Sequence, residues 1–566
     1  MKKSKSMLLL LTFVLAVGTL LSACGGKDNS KGASNGGEKT NNSGTQAEET
    51  LAADQTLRFS FTSEVPTFDP GQAQDNVAHT MLNMMYEGLV SMDEDGKVVP
   101  ANAEKWAIDG TKYTFTLRKD AKWSNGDPVT AKDYVFAWER VLNPATSPAP
   151  PYANMLYDYI QGAKEYNDGK EKDFSKVGVK ALDDYTLEVN IINPTPYFLG
   201  LTSFYTYFPV HQSVKDDAKW ATNKDKMITN GPFKLTGWEI GQSYELAKNE
   251  NYHSKDDVKL TKVQINVVES AATQLQAYKN GETDYTGQPV GEIPSDQLPS
   301  VRQELKDEFN NRSIASIYYY QFNVTAKPFD NAKIRKAFSM AIDRQTLIDK
   351  VTLGGETAAF GFVPYGIVGA DGQEYRKSVP DNYLSYNVEE AKKLLEEGMK
   401  EANYTKLPEI TLLYNTSENH KKIALAIGDM WKKALGVDIK LVNQEFQVYI
   451  STRRNLDYQV SRAGWVSDYN DPMAFMSMWT TGDGNNDAGY SNKEYDQLIA
   501  DAKKTGDEKA RQEMIAKAEK ILIEDDSVAI PLYYYTTKTL IKPNLKNVHM
   551  DYSGAVDFSR AYLVEE

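Results

Sequence analysis

The 566-residue chain contains one cysteine, Cys24. No intramolecular disulfide can form, so stability has to come from burial. Histidine is almost as sparse. His79, His211, His253, His420 and His549 are scattered, without the His-x-x-x-His or Glu-paired spacing that a zinc site uses. No glycine-rich phosphate loop of the P-loop or dinucleotide type occurs. Gly489-Tyr490-Ser491-Asn492-Lys493 lacks the second glycine of a nucleophile elbow, and Ser491 reads as a helix cap. Basic residues are in deficit: 64 Lys and Arg face 78 Asp and Glu, a net charge of −14. That balance argues against nucleic acid, whose binding requires Lys and Arg to neutralise phosphates, and against a basic membrane-binding face. Among so many acids, a carboxylate pair is no signal in itself. Nothing here asks for an enzyme, a metal or a cofactor.

Long apolar runs are missing too, except at the N-terminus. Lys2, Lys3 and Lys5 precede an uncharged stretch from Met7 to Leu21, and small residues lead into Cys24. This is the layout of a secretory signal peptide, too short to span a bilayer, which takes about 20 apolar residues. Leu21-Ser22-Ala23-Cys24 resembles the bacterial lipobox, in which the thiol is acylated and becomes the first mature residue. Residues 1–23 are therefore read as a lipoprotein signal peptide. Residues 24–54, rich in Gly, Asn, Ser, Thr, Lys and Glu and free of aromatics, are read as a lipid-anchored flexible tether. As a coil, such a tether spans roughly 30 Å.

From Gln55 onward the chain is mixed α and β. Gln55 to Glu64 and Lys112 to Arg118 alternate like strands. Lys122-Trp123-Ser124-Asn125-Gly126-Asp127-Pro128 reads as a turn, and Thr130 with Asp133 as a capping box for a helix through Val135, Trp138 and Val141. Ile334, Ala337, Phe338, Ala341 and Ile342 recur at helical spacing, as do Ala391, Leu394 and Leu395. Val528 to Ile541 is strand-like around Tyr533-Tyr534-Tyr535. Interleaved elements in a chain too long for one core predict several α/β lobes.

Four stretches resemble the solute-binding proteins of ABC peptide importers (extracellular solute-binding protein family 5), in particular the oligopeptide branch. They are Gly110 to Arg140; Thr229-Asn230-Gly231-Pro232-Phe233-x-Leu235; Tyr318-Tyr319-Tyr320 through Pro328-Phe329 to Asp343-Arg344; and Leu412 to Lys422 with Leu441 to Glu445 and Arg462-Ala463-Gly464-Trp465-x-x-Asp468-Tyr469-Asn470-x-Pro472. The resemblance implies an α/β, periplasmic-binding-protein-like fold, three-lobed with discontinuous lobes and a hinged ligand cleft. Residues 55–78, 205–320 and 540–566 form the first lobe, 79–204 a small second lobe, and 321–539 the third, with ligand between the first and third. The region around Trp123 reads as structural.

The resemblance also implies a ligand and its contacts. Asp468 matches an aspartate that accepts the peptide α-ammonium, a group present on a peptide of any sequence. In isolation Asp468-Tyr469-Asn470-Asp471-Pro472 is also a good polar turn. Arg453, Arg462 and His420 match positions that face the C-terminal carboxylate, for which an arginine fork is well shaped. Alternatively, Arg462 pairs with a neighbouring acid and His420 caps the helix from Lys421 onward. Main-chain pairing to Gly464, Trp465 and Val466, and to Gln74, Asp75 and Asn76, implies strand addition. Phe446 stands where the family has a pocket tryptophan, Tyr319 is a further pocket candidate, and Thr352 replaces a family lysine that serves longer peptides. The implied protein is a monomeric, lipid-anchored receptor on the extracytoplasmic face of a bacterium. It passes oligopeptides to an ABC permease with cytoplasmic ATPases. The same fold also serves signalling peptides, oligosaccharides and metal chelates, and a surface hydrolase or chaperone is a more remote reading.

Overall fold

The computed structural model describes residues 50–566 apart from 94, 95, 218, 445 and 566, and apart from the side chains of 418, 446 and 447. Cys24, the signal segment and nearly all of the tether lie outside the described residues. No helix among the described residues is long and apolar enough to cross a membrane.

Three sheets organise the body. In the first, Thr56–Phe61 pairs in parallel with Lys262–Val267, which continues antiparallel through Ser243–Lys248 to Phe233–Glu239. The second is antiparallel and local, ordered Ala103–Asp109, Lys112–Leu117, Thr186–Asn190, Val179–Asp183. The third has seven strands. Its main path runs Tyr285–Gly287, Ala529–Ile541, Phe309–Phe322, Val460–Val466, Ile410–Asn415 and Ile439–Gln444. The last two strands lie parallel and are joined by the helix Glu418–Leu435, because a parallel pair needs a crossover that a tight turn cannot supply.

The alternation at Lys112–Leu117 does what a period of two requires. Tyr113, Phe115 and Leu117 are buried, and the residues between them are not. The turn beyond this strand packs its tryptophan inward: Trp123 is fully buried and its Nε1 donates to Asp133 Oδ2 at 3.3 Å. Asp133 also accepts from Thr130 N at 2.8 Å, completing the capping box of the helix Ala131–Leu142. One carboxylate thus ties turn, cap and core together. The Thr229–Phe233 motif is equally structural. Asn230 binds Glu87 through both its amide atoms, and Gly231 N donates to Met85 O at 2.9 Å. A Cβ on Gly231 would lie 2.5 Å from Met85 C and Tyr86 N, so only glycine fits.

Element ends move slightly from the sequence reading. The helix Ala332–Met340 stops before Ala341 and Ile342, which remain buried beyond it. The cap ahead of Tyr495 is Asn492, whose Oδ1 accepts from Glu494 N and Tyr495 N. Ser491, expected in that role, lies one residue too early, and its hydroxyl accepts from Thr481 Oγ1 instead. The helix beginning at Glu418 is capped by Ser417, which accepts from His420 N, so His420 is not the cap.

Phe309–Phe322 runs through the middle of the third sheet, and its Tyr318-Tyr319-Tyr320 segment shows what a strand buried on both faces does. Tyr318 and Tyr320 join one hydrophobic cluster, with Phe338 and Trp431, while Tyr319 joins another, with Phe362 and Trp479. Alternation makes neighbouring tyrosines serve opposite layers.

Candidate functional site

The strand Val460–Val466 has two unlike edges. One pairs with Phe309–Phe322 over its whole length, from Val460↔Phe322 to Val466↔Ser316. The other meets Ile410–Asn415 only at Val460 and Ser461. From Arg462 to Val466 that second edge has no strand partner among the described residues. Arg462 O is taken by the Tyr449 hydroxyl, and the Trp465 indole donates to Ala474 O at 2.8 Å.

This open edge borders a cavity of about 1480 Å³. Gly464, Trp465, Val466, Ser467 and Asp468 form one wall, and Gln74, Asp75, Asn76 and His79 form another. Residues distant in sequence also contribute: Tyr152, Phe204 and Tyr205, and, near the C-terminus, Asp551 and Tyr552. Asp75 is held in place as the N-cap of the helix Asn76–Met85, accepting from Val77 N at 3.0 Å and Ala78 N at 2.9 Å.

Asp468 is one of the acids that line this cavity. It makes no side-chain hydrogen bond and no ion pair among the described residues, and desolvation pushes its carboxyl up to about 7. Tyr152, Tyr205 and Tyr552 feel its charge, which places them around it. A carboxyl kept dry without a partner is costly to ionise, and a cation delivered to it removes that cost. His79 faces the rings of Phe204 and Tyr205 at 5.8 and 5.0 Å. Burial holds its imidazole below the usual 6.5, against the opposing pull of Asp551 and Asp75. The cavity is acidic overall. Asp158, Asp468, Asp483 and Asp551 line it, whereas its cations Lys164 and Arg560 are committed to Asp168 and Asp257.

The remaining predicted residues lie elsewhere. Arg453 is buried in an ion pair with Asp487 at 2.8 Å and donates to the Tyr449 hydroxyl at 3.1 Å. Tyr319 packs edge-on against Phe362 and Trp479 and does not line the cavity, because its face of the strand is core. The side chain of Phe446 lies outside the described residues. Arg462 has no acidic partner among the described residues. It donates to Tyr535 Oη at 3.1 Å and Asn415 Oδ1 at 3.4 Å, and its guanidinium lies 4.8 Å from the Tyr318 ring centroid. Tyr318 in turn contacts His420 Nδ1 at 3.2 Å. Burial and the neighbouring Arg462 push the His420 imidazole down to about 3, so it is neutral. Arg462, Tyr318 and His420 thus form a second polar group, further along the same strand than Asp468. Thr352 donates to Glu356 Oε2 at 2.8 Å, and Glu356 pairs with Lys538 at 2.9 Å, so a cation does stand close to the position of the missing family lysine.

No sequence motif marks Tyr152, Tyr205 and Tyr552. Only the topology brings them beside Asp468.

Residues 97–487 match the family described as bacterial extracellular solute-binding proteins, family 5 Middle. The chain is 39% identical over 562 residues to the oligopeptide-binding protein OppA of Bacillus subtilis (strain 168), covering 98% of each. It is 40% identical over 527 residues to the dipeptide-binding protein DppE of the same organism, covering 93% of this chain and 95% of that one. The crystal structure of Haemophilus influenzae OppA in complex with RPPGFSPFR superposes with a TM-score of 0.76 at 35% identity, covering 91% of this chain and 100% of that one. The protein thus has the α/β fold of periplasmic binding proteins and belongs to the bacterial extracellular solute-binding proteins of family 5.

Proposed function

We propose that this protein captures oligopeptides outside the cytoplasmic membrane and hands them to an ABC permease. One observation carries the reading: the strand edge from Arg462 to Val466 has no strand partner among the described residues, and its Gly464 to Val466 part lines a large cavity and leads to the unpartnered carboxyl of Asp468. An extended peptide added to that edge is bound through its backbone, whatever its side chains. Its ammonium then meets Asp468. Arg462, toward the other end of the strand, faces the C-terminal carboxylate, with neutral His420 beside it. The names of the relatives, oligopeptide- and dipeptide-binding proteins, support this ligand class.

The proposal extends to architecture and address. Residues 55–78, 205–320 and 540–566 make one lobe, 79–204 a second and 321–539 a third. In support, the four-stranded sheet of Ala103–Asp109 to Thr186–Asn190 falls wholly within 79–204. The antiparallel pair Phe309–Phe322 and Ala529–Ile541 links the first and third stretches, one strand crossing the 320/321 boundary and the other the 539/540 boundary. Cys24 carries the lipid that keeps the receptor beside its permease.

Calorimetry with tri-alanine and N-acetyl-tri-alanine tests the site. The wild type binds the free peptide and loses it on acetylation, and Asp468→Asn weakens the free peptide to the acetylated level. Equal affinity of Asp468→Asn and wild type for tri-alanine removes Asp468 from its role. Cys24→Ser moves the protein from the membrane fraction to the medium; continued membrane retention refutes the anchor.

A further inference from the structure

The turn that carries Asp468 is tied down on every side. Arg511 donates two hydrogen bonds to Asp471, at 2.8 and 2.5 Å, and both side chains are buried. Asp471 Oδ1 also accepts from Met473 N at 2.8 Å, and Asn470 Oδ1 accepts from Val368 N at 2.9 Å. The Ser467 hydroxyl donates to Tyr469 O at 2.7 Å, and the Trp465 indole spans the base of the turn to Ala474 O. This bracing fixes the backbone of the turn that Asp468 and Tyr469 share.

Asp468 lines the cavity, but Tyr469 does not. The Tyr469 ring stacks on Tyr197, with centroids 4.8 Å apart and planes 10° apart. Its hydroxyl lies 3.5 Å from that of Tyr159, which lies 3.5 Å from that of Tyr197. On Tyr197, the Arg511 guanidinium sits 5.0 Å from the ring centroid, so the residue that braces the turn also holds the stacked ring. Tyr159 and Tyr197 come from the stretch that carries the antiparallel four-stranded sheet, whereas Tyr469 and Arg511 come from the stretch that carries the seven-stranded one. The stack therefore joins two parts of the chain that both contribute residues to the cavity lining.

We propose that Tyr469 is a latch, coupling capture of the ammonium by Asp468 to closure of the cavity through its stack on Tyr197. The latch rests on the reading of the cavity as a peptide cleft. Because Asp468 and Tyr469 share one braced turn, a peptide fixed on Asp468 steadies the ring in its stacked position, and the peptide leaves only when the stack opens. The latch acts on release and leaves entry nearly unaffected.

Stopped-flow tryptophan fluorescence with tri-alanine separates the two rates, and thermal melting of the ligand-free variants monitors folding. Tyr197→Leu raises the dissociation rate by roughly tenfold, the scale of one aromatic stack, with little change in association. Tyr197→Phe keeps the ring and restores slow release. A wild-type dissociation rate in Tyr197→Leu overturns the latch. A Tyr197→Leu protein that melts early yet releases peptide at the wild-type rate also overturns it, since the stack is then only a packing contact. Failure of the wild type itself to bind tri-alanine is a different result: it removes the peptide reading first, and the latch with it.

Discussion

Peptide binding releases a proton below neutrality, and the site fixes how much. Burial without a partner pushes the Asp468 carboxyl up to about 7, against 3.8 for an ordinary aspartate. Ionising it there costs on the order of 4 kcal/mol, since moving a pKa by one costs about 1.4 kcal/mol. About nine-tenths of the molecules then carry it protonated at pH 6, and about one-tenth at pH 8. A peptide ammonium favours the carboxylate and drives its pKa back down. Binding at pH 6 therefore expels about 0.9 proton per peptide. At pH 8 the sign reverses, because a peptide amine titrating near 7.7–8.0 is about half neutral and takes up about half a proton. Affinity peaks between about pH 7 and 8 and falls about tenfold per pH unit on the acid side. His79, on the facing wall of the cavity, is shifted below the usual 6.5 by burial, against the pull of Asp551 and Asp75. Calorimetry of tri-alanine in buffers of different ionisation enthalpy counts the protons directly. A raised native pKa also means that the ligand-free fold binds a proton more tightly than the unfolded chain does. The contribution of Asp468 to stability therefore declines as pH rises from about 4 to 7, the reverse of the usual carboxylate trend. Release of less than about 0.2 proton at pH 6, or undiminished release from Asp468→Asn, refutes the reasoning.

Other outcomes rest on the same geometry. Asp471→Ala strands the buried Arg511 guanidinium and lowers stability by about 3–5 kcal/mol in urea unfolding. Glu519→Ala does the same on a second buried centre, where the carboxylate accepts from Phe362 N, Val363 N and Arg376; denaturant midpoints again measure it, with a loss of about 3–5 kcal/mol. Gly231→Ala forces a methyl against the Met85–Tyr86 peptide and costs about 1–3 kcal/mol, read as a lower melting temperature with peptide affinity unchanged. The acid excess on the cavity wall favours Ala-Lys-Ala over Ala-Glu-Ala, and the preference shrinks as salt is raised in the titration.

Local chemistry is legible in the sequence and distant geometry is not. The capping box at Thr130 and Asp133, the alternating strand at Lys112–Leu117 and the buried Trp123 rest on contacts within about a dozen residues, so spacing alone exposes them. The cap before Tyr495 falls one position away from Ser491 because Ser491 and Asn492 are both good caps, and only the backbone at Asn492 decides between them. Asp468 is marked by a motif, but nothing in that motif says that its carboxyl lacks a partner; that depends on Tyr152, Tyr205 and Tyr552, hundreds of residues away in part. Tyr319 fails as a pocket residue because a strand covered on both faces offers its side chains only to core. Arg453 likewise reads as a free cation in sequence, until Asp487 arrives by way of a loop.

The strand edge from Arg462 to Val466 has a consequence for solubility as well as for recognition. Bare strand edges are templates on which other sheets nucleate, and extracytoplasmic proteins have no chaperone-rich cytosol to hide them. Here the edge is recessed at the side of a cavity of about 1480 Å³. A flexible segment a few residues long reaches it, but the rim of a folded domain does not. The recess is therefore a size filter: it offers the free backbone groups of Gly464 to Val466 to short, extended chains and keeps them from the sheet edge of a neighbouring copy.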